Sequence, residues 1–292
     1  MAEEAAPCNG AQPLSELLSA GGRWLAGRGV EEPRLVCEWL AASLLGCGRA
    51  SLPLTAVPDN AVVARLRDGI RRLGDGEPVQ YVIGEWDFRC LTLKTDRRAL
   101  IPRPETEQLV ELVLAEKALW ERSAPLVYDV GTGTGAIALS LARERPGCAV
   151  VAVDCEGDAL SLAHENAAAC GLTDAVHFVL GRNCAGAAPA TVDAVVSNPP
   201  YIASRVVDGL PRLIRDFEPR VALDGGDDGL DVFRGLVHDA AIALKRGGFI
   251  FLEIGDDQGE SVAGLLDDAG FSDVGVFSDF AGRTRFAKGR IE

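Results

Sequence analysis

The spacing of apolar residues divides this chain into three stretches. Between residues 14 and 74 they recur at helical intervals. Leu14, Leu17, Leu18, Trp24 and Leu25 mark one helix, and Leu35, Val36, Trp39, Leu40 and Leu44 a second. Pro58-Asp59-Asn60 is a start signal for a third, running to about Leu73. No strand pattern interrupts them, so residues 1–77 read as a small helical domain. Over residues 78–103 the rhythm changes. Tyr81, Val82, Trp86, Phe88, Leu91 and Leu93 suggest short strands, with Thr95-Asp96 as a candidate turn, and the stretch reads as a hairpin linker. Pro102 and Pro104 then stiffen the entry to a helix over about 105–118.

Residues 104–292 form the third stretch, where apolar strands alternate with helical patterns. The strands are LVYDV, AVVAVD, VHFVL, VDAVVS, GFIFLEI, SDVGVF and TRFAKG. Helical segments fall at about 135–145, 157–169, 229–244 and 257–269. Such alternation predicts an α/β fold with a mostly parallel sheet covered on both faces. Ligands in these sheets bind beyond the carboxyl ends of the strands, near the point where strand order reverses. Chemistry is therefore expected in the residues that directly follow each strand.

Composition narrows the class. A chain with 48% hydrophobic and 25% charged residues is an ordinary globular one. It contains no apolar run long enough to span a membrane, and its first residues have neither the basic start nor the apolar core of a secretory signal. Eight cysteines are scattered without a C-x-x-C pair, which predicts buried reduced thiols in a cytoplasmic protein. His164, His177 and His238 share no ligand spacing, so no metal site is expected. The net charge of −14 argues against non-specific duplex DNA binding, which needs cations facing phosphates, and is compatible with a basic protein partner.

Two turns carry the candidate chemistry. The first follows LVYDV and reads Asp129, Val130, Gly131, Thr132, Gly133, Thr134, Gly135. Its glycines permit a tight turn and a close backbone approach to a ligand. Their G-x-G-x-G spacing is not that of a dinucleotide binder. The second strand ends in Asp154, where an acid can accept from both hydroxyls of a ribose. Asp129 would repel a pyrophosphate; it suits a ligand with a cationic group, or it stabilises the loop. S-adenosylmethionine, with a ribose, a cationic methionine and no phosphate, fits this set.

The other turn, Asn198-Pro199-Pro200-Tyr201, follows VDAVVS. Two prolines remove two backbone donors and leave carbonyls free to face a cleft. The Asn198 side-chain oxygen and the Pro199 carbonyl can accept both N–H bonds of one planar NH₂ group, and Tyr201 can pack on its flat face. That arrangement suits methyl transfer to an amide or aromatic amine, a poor nucleophile that needs fixed acceptors and in-line positioning.

Together these motifs resemble the class I methyltransferases that modify exocyclic nitrogens. The stretches PVQYVIGEWDF (78–88), LIPRPETE (100–107), FEPRVALDGGDDGLD (217–231) and LEIGDDQGE (252–260) narrow the likeness. With the helical N-terminal domain, the chain resembles the release-factor glutamine methyltransferase family over about residues 30–290. The resemblance implies a seven-stranded methyltransferase sheet over 104–292 and S-adenosylmethionine as donor. It implies the glutamine of the Gly-Gly-Gln loop of class 1 peptide-chain release factors as acceptor. Asn198, Pro199 and Tyr201 are then the catalytic residues, and Pro200 completes the acceptor site. Asp129, Gly131, Thr132, Gly133, Thr134, Gly135, Asp154, Asn183 and Asn198 form the donor site, and a cytoplasmic monomer is expected. The N-terminal helices are a candidate for recognising the protein substrate.

One stretch departs from the family pattern. Its third strand usually ends in an acid followed by an aromatic, near the adenine; here Leu180-Gly181 lead into Arg182 and Asn183. We expect the Asn183 amide to read the adenine, with Arg182 turned to solvent or stacked on the ring edge. Three other readings share the motifs: a ribosomal-protein glutamine methyltransferase, an adenine-specific nucleic-acid methyltransferase, and a degenerate cofactor-binding protein without activity.

Overall fold

A computed structural model describes residues 12–292. The chain divides into two compact units, one ending at Ile83 and one spanning Gly84–Glu292. The first packs helices α1 (Leu14–Ala26), α2 (Pro33–Leu45), α3 (Asn60–Gly74) and α4 (Val79–Ile83). Asp59 caps α3 by accepting from the Val62 N–H at 2.7 Å. Leu14, Leu18, Leu25, Leu40, Leu66 and Leu73 form its core. Tyr81 and Val82 do not form a strand: they lie in α4, whose residues pack against that same core. Pro78 starts this turn, its carbonyl accepting from both Tyr81 and Val82, and this local helical bonding overrides their β propensity.

The second unit opens with the hairpin β1 (Glu85–Phe88) and β2 (Leu91–Lys94). It turns at Arg89-Cys90, with Thr95-Asp96 following the second strand. Arg89 holds the turn from outside, its guanidinium bonding Glu144 at 2.6 Å and Glu111 at 3.0 Å. Next come α5 (Pro104–Leu114) and a separate short α6 (Lys117–Trp120), where one continuous helix was expected. Glu116 accepts from the Ala118 N–H and so starts α6 afresh. The alternating region follows as β3 (Leu126–Val130), α7 (Ala136–Glu144), β4 (Ala149–Asp154), α8 (Gly157–Ala169), β5 (Val176–Leu180) and β6 (Val192–Ser197). It continues with α9 (Ser204–Val207), α10 (Arg212–Arg215), α11 (Asp231–Ala243), β7 (Leu244–Glu253), α12 (Gly259–Asp268), β8 (Phe271–Ser278) and β9 (Thr284–Ile291).

The seven strands order as β5-β4-β3-β6-β7-β9-β8, parallel except where β9 pairs with β7 and β8. Successive residues of each inner strand enter opposite cores. Val127, Ala152, Val196 and Phe251 join α5 and α7 on one face; Tyr128, Val153, Val195 and Leu252 join α11 and α12 on the other. The chain leaves β3 outward to β4 and β5, then returns to β6 on the other side of β3. Strand order reverses between β3 and β6, and Val130 pairs with Ser197 there. The glycine turn and the Asn-Pro-Pro-Tyr turn therefore emerge side by side at the carboxyl ends of the central strands.

All seven cysteines among the described residues are free. Only Cys37 and Cys184 are buried; Cys90 is exposed, and Cys8 lies outside the described residues. Among the described residues no helix is long and apolar enough to cross a membrane.

Candidate active site

The glycine turn is held by its own neighbourhood. Gly131, Gly133 and Gly135 have φ of 73°, 55° and 84°, the left-handed backbone that favours glycine. A Cβ on Gly135 would also stand 3.1 Å from Leu139 Cδ1 and 3.3 Å from the Ala163 Cβ. The N–H groups of Gly131 and Thr132 both donate to the Val153 carbonyl, fastening the turn to β4. Asp129 is fully buried, and one carboxylate oxygen accepts from Thr132 Oγ1 at 2.6 Å and the Ala138 N–H at 3.0 Å. Its other oxygen, Oδ1, is buried without a hydrogen-bond partner among the described residues. Burial pushes this carboxyl up to about 7, against the pull of its two hydrogen bonds.

Asp154 closes the same side. Its Oδ2 accepts from the Gly133 N–H at 2.9 Å and its Oδ1 from the Glu156 N–H at 3.0 Å. Burial raises its pKa, and the backbone bonds oppose the rise. Each oxygen keeps a further lone pair for a ligand hydroxyl. Asn166, buried on α8, was not singled out from the sequence. Its Nδ2 donates to the Thr134 carbonyl at 2.9 Å and the Lys94 carbonyl at 3.1 Å, so it ties the glycine turn to the hairpin. A buried asparagine on a helix looks like any polar position until its partners are known.

The second turn is supported from far along the chain. Asn198 Nδ2 donates to Thr106 Oγ1 at 3.0 Å, and Thr106 Oγ1 donates to Glu253 Oε2 at 2.7 Å. Thr106 and Glu253 are buried, and burial pushes the Glu253 carboxyl up to about 7. With its NH₂ held by Thr106, the Asn198 amide turns its oxygen end away from that anchor. Gln258 fixes the other end of the turn, its Nε2 donating to the Tyr201 carbonyl at 3.0 Å and the Gly229 carbonyl at 3.2 Å. Gly225 is required here because a Cβ would come within 2.8 Å of the Pro200 carbonyl oxygen. Thr106, Glu253 and Gln258 lie in stretches that carried the family resemblance, LIPRPETE and LEIGDDQGE, but neither spacing nor residue type assigns them a role.

One cavity joins the two turns. It is lined by Gly131 to Thr134, Asp154, Asn183 and Asn198 to Pro200, with Arg98 to Arg103 and Pro219, Val221 and Ala222 forming a further wall. That wall is fastened by Glu218, buried, which accepts from the Ile101 N–H at 3.2 Å and from Arg103 at 2.5 Å. Asp129, Gly135 and Tyr201 do not line the cavity. Tyr201 is half-buried against the core, and burial and the Glu253 carboxylate push its phenol up to about 12. Asn183 has a left-handed φ of 49°, and its Nδ2 donates to Asp239 on α11 at 2.8 Å. That bond leaves the amide oxygen and one N–H for a ligand. Arg182 is exposed.

These residues fit a ligand with a ribose and a cationic end. The left-handed glycines leave three positions of the turn without side chains, Asp154 offers paired acceptor oxygens, and Asp129 carries an unmet buried acceptor beside the turn.

Comparison with known proteins gives the same fold and a narrower relationship. Residues 109–216 match the methyltransferase small domain, and residues 16–84 the PrmC N-terminal domain. A crystal structure of a methyltransferase from Pyrococcus furiosus, 19% identical, covers 68% of this chain and 88% of its own at a TM-score of 0.50, a likeness of fold. The release factor glutamine methyltransferase of Moorella thermoacetica is 41% identical over 93% of this chain and 96% of its own. The human MTRF1L release factor glutamine methyltransferase is 36% identical over 96% and 88%. With likeness of this degree running through both the helical unit and the sheet, the chain belongs to the release factor glutamine methyltransferase family.

Proposed function

We propose that this protein transfers a methyl group from S-adenosylmethionine to the side-chain amide nitrogen of the glutamine in the Gly-Gly-Gln loop of class 1 peptide-chain release factors. The observation that carries this reading is the Asn198 amide, held by its NH₂ end so that its oxygen is the end left for an acceptor group. Bound S-adenosylmethionine supplies an electrophilic methyl group on its sulfonium.

Gly131 to Thr134 and Asp154 hold the donor, Asp154 through the ribose hydroxyls, and Asp129 offers a buried carboxyl oxygen behind the turn. Asn183 offers its remaining amide groups to the adenine. On the acceptor side, Asn198 Oδ1 and the Pro199 carbonyl accept the two N–H bonds of the glutamine amide. They hold its nitrogen toward the methyl group and favour the positive charge that develops there. Pro200 keeps the turn rigid and free of competing donors. Tyr201 acts from behind the turn, as a half-buried support rather than a wall of the cavity.

The helical N-terminal unit is our candidate for recognising the protein substrate. We read the protein as a cytoplasmic monomer that binds neither membrane nor duplex DNA. Transfer of radiolabelled methyl from S-adenosylmethionine to purified release factors, ribosomal proteins and DNA tests the reading. Label in a release factor, lost when its Gly-Gly-Gln glutamine is replaced, is the expected result. Label in ribosomal protein or DNA alone overturns the acceptor assignment, and cofactor binding without any transfer overturns the activity.

A further inference from the structure

The support beneath Asn198 comes from two separate segments. Thr106 is 92 residues from Asn198 and 147 from Glu253 in sequence, yet the three side chains form one hydrogen-bonded line. Assuming that the cleft methylates a glutamine amide, we propose that Thr106 and Glu253 are positioning residues. Through the line Asn198 Nδ2, Thr106 Oγ1, Glu253 Oε2, they fix which end of the Asn198 amide faces the acceptor.

An asparagine amide has two ends of nearly the same size and opposite hydrogen-bonding sense. Facing a glutamine NH₂, the oxygen end attracts and the NH₂ end sets donor against donor. Shape alone cannot choose between them, so a directional partner is needed. Thr106 provides it because its hydroxyl has a single proton. An ionised Glu253 can only accept, so it draws that proton. The hydroxyl oxygen then has only lone pairs for Asn198, and only the NH₂ end of the amide can meet them. The oxygen end is left for the acceptor.

Protonation of Glu253 reverses the sense of the line. The carboxyl then donates to Thr106, the threonine proton becomes free to turn toward Asn198, and the amide is stabilised with its oxygen inward. Burial raises Glu253 to about 7, and Glu105 also pushes it up, while the bond from Thr106 and the charges of Arg285 and Arg103 favour the ionised form. The phenol of Tyr201 lies beside it as a further titratable neighbour. Acceptor turnover should therefore fall as the pH drops through this range, even when cofactor is saturating. Saturation removes the contributions of Asp129 and Asp154, whose raised carboxyls belong to the donor side.

The test uses the full chain, tritiated S-adenosylmethionine and a purified class 1 release factor, between pH 5.5 and 8.5 (a range of about 1.5 units on either side of 7). For Thr106→Val we expect kcat/KM for the release factor to fall roughly 10- to 100-fold, with cofactor Kd unchanged. Thr106→Ser should restore most of the activity. Glu253→Gln, which does not titrate, should lose the acid limb of the profile that the wild type shows. Wild-type turnover in Thr106→Val, or an acid limb that persists in Glu253→Gln, overturns the inference and leaves the parent reading standing. Loss of cofactor binding in Thr106→Val and Thr106→Ser alike makes the role merely structural and also overturns it. A wild type that binds cofactor but methylates no release factor overturns the parent reading and the inference together.

Discussion

The two sides of the cavity are built in opposite ways. On the donor side, the glycine turn, Asp129 and Asp154 support one another mostly over 3 to 21 residues, Asp129 reaching Thr132 and Ala138 and Asp154 reaching Gly133, with Asn166 as one longer tie. On the acceptor side, the Asn-Pro-Pro-Tyr turn depends on Thr106, Glu253 and Gln258, brought from α5, the end of β7 and the start of α12. A cofactor of constant shape can be held largely by backbone groups of a turn braced by its near neighbours. An acceptor amide needs one side chain aimed in one sense, and aiming a side chain takes partners that only folding assembles.

If this division is right, lesions on the two sides should separate cleanly in their readouts. The largest effect is expected on the acceptor side. Asn198→Ala should lower methyl transfer by about 2.7–4 kcal/mol, by analogy with loss of one oxyanion-hole donor, while calorimetric cofactor affinity stays within a few-fold. Near-normal transfer by this variant would remove Asn198 from the chemistry.

Next comes the donor side. Asp154→Ala should weaken S-adenosylmethionine binding by roughly 1.5–3 kcal/mol, the loss of a charged acceptor for hydroxyl groups. At saturating cofactor its kcat should stay near that of the wild type. A drop in kcat with unchanged affinity would break the division between the sides.

Gly135→Ala sharpens the point about bracing by near neighbours. It forces a side chain into a left-handed position at φ 84°, against Leu139 and Ala163. The strain should cost about 1–2 kcal/mol of stability, read from the denaturant midpoint, and should weaken cofactor binding without altering the acceptor KM. An equal effect on the acceptor KM would mean that the two turns are coupled.

The smallest effect is expected at Asn183. Its NH₂ is already engaged by Asp239, so replacement by alanine should cost cofactor affinity only about 0.5–1.5 kcal/mol, one ordinary hydrogen bond. A change below about twofold, measured for S-adenosylmethionine and S-adenosylhomocysteine, would mean that Asn183 does not read the adenine.

Much of this was legible in residue order. The positions of all seven strands of the main sheet follow from apolar runs closed by glycines, prolines and acids, and the helices between them from 3.6-residue periodicity. Those signals are strong because each inner strand is buried on both faces and so is mostly apolar, with Asp129 and Asp193 as hydrogen-bonded exceptions. The glycine turn and the Asn-Pro-Pro-Tyr turn were legible for a related reason: each uses residues that backbone geometry itself demands. Tyr81 and Val82 were misread because a single helical turn after Pro78 is too short to show periodicity. The hairpin turn at Arg89 was missed because its left-handed residue is an arginine, held by Glu144 and Glu111 and not by any turn propensity of its own.

The sequence by itself determined the strand–helix alternation, the two turns and the family to which the chain belongs, because these rest on local propensity and on contiguous motifs. Only the tertiary structure decided which end of the Asn198 amide is anchored, that Tyr201 is half-buried against the core outside the cavity lining, and that Asn183 is shared with Asp239. The physical reason is the same in each case. A side chain's direction is set by hydrogen-bond partners distant in sequence, and neither residue type nor spacing along the chain encodes which donor will meet which acceptor after the sheet has formed.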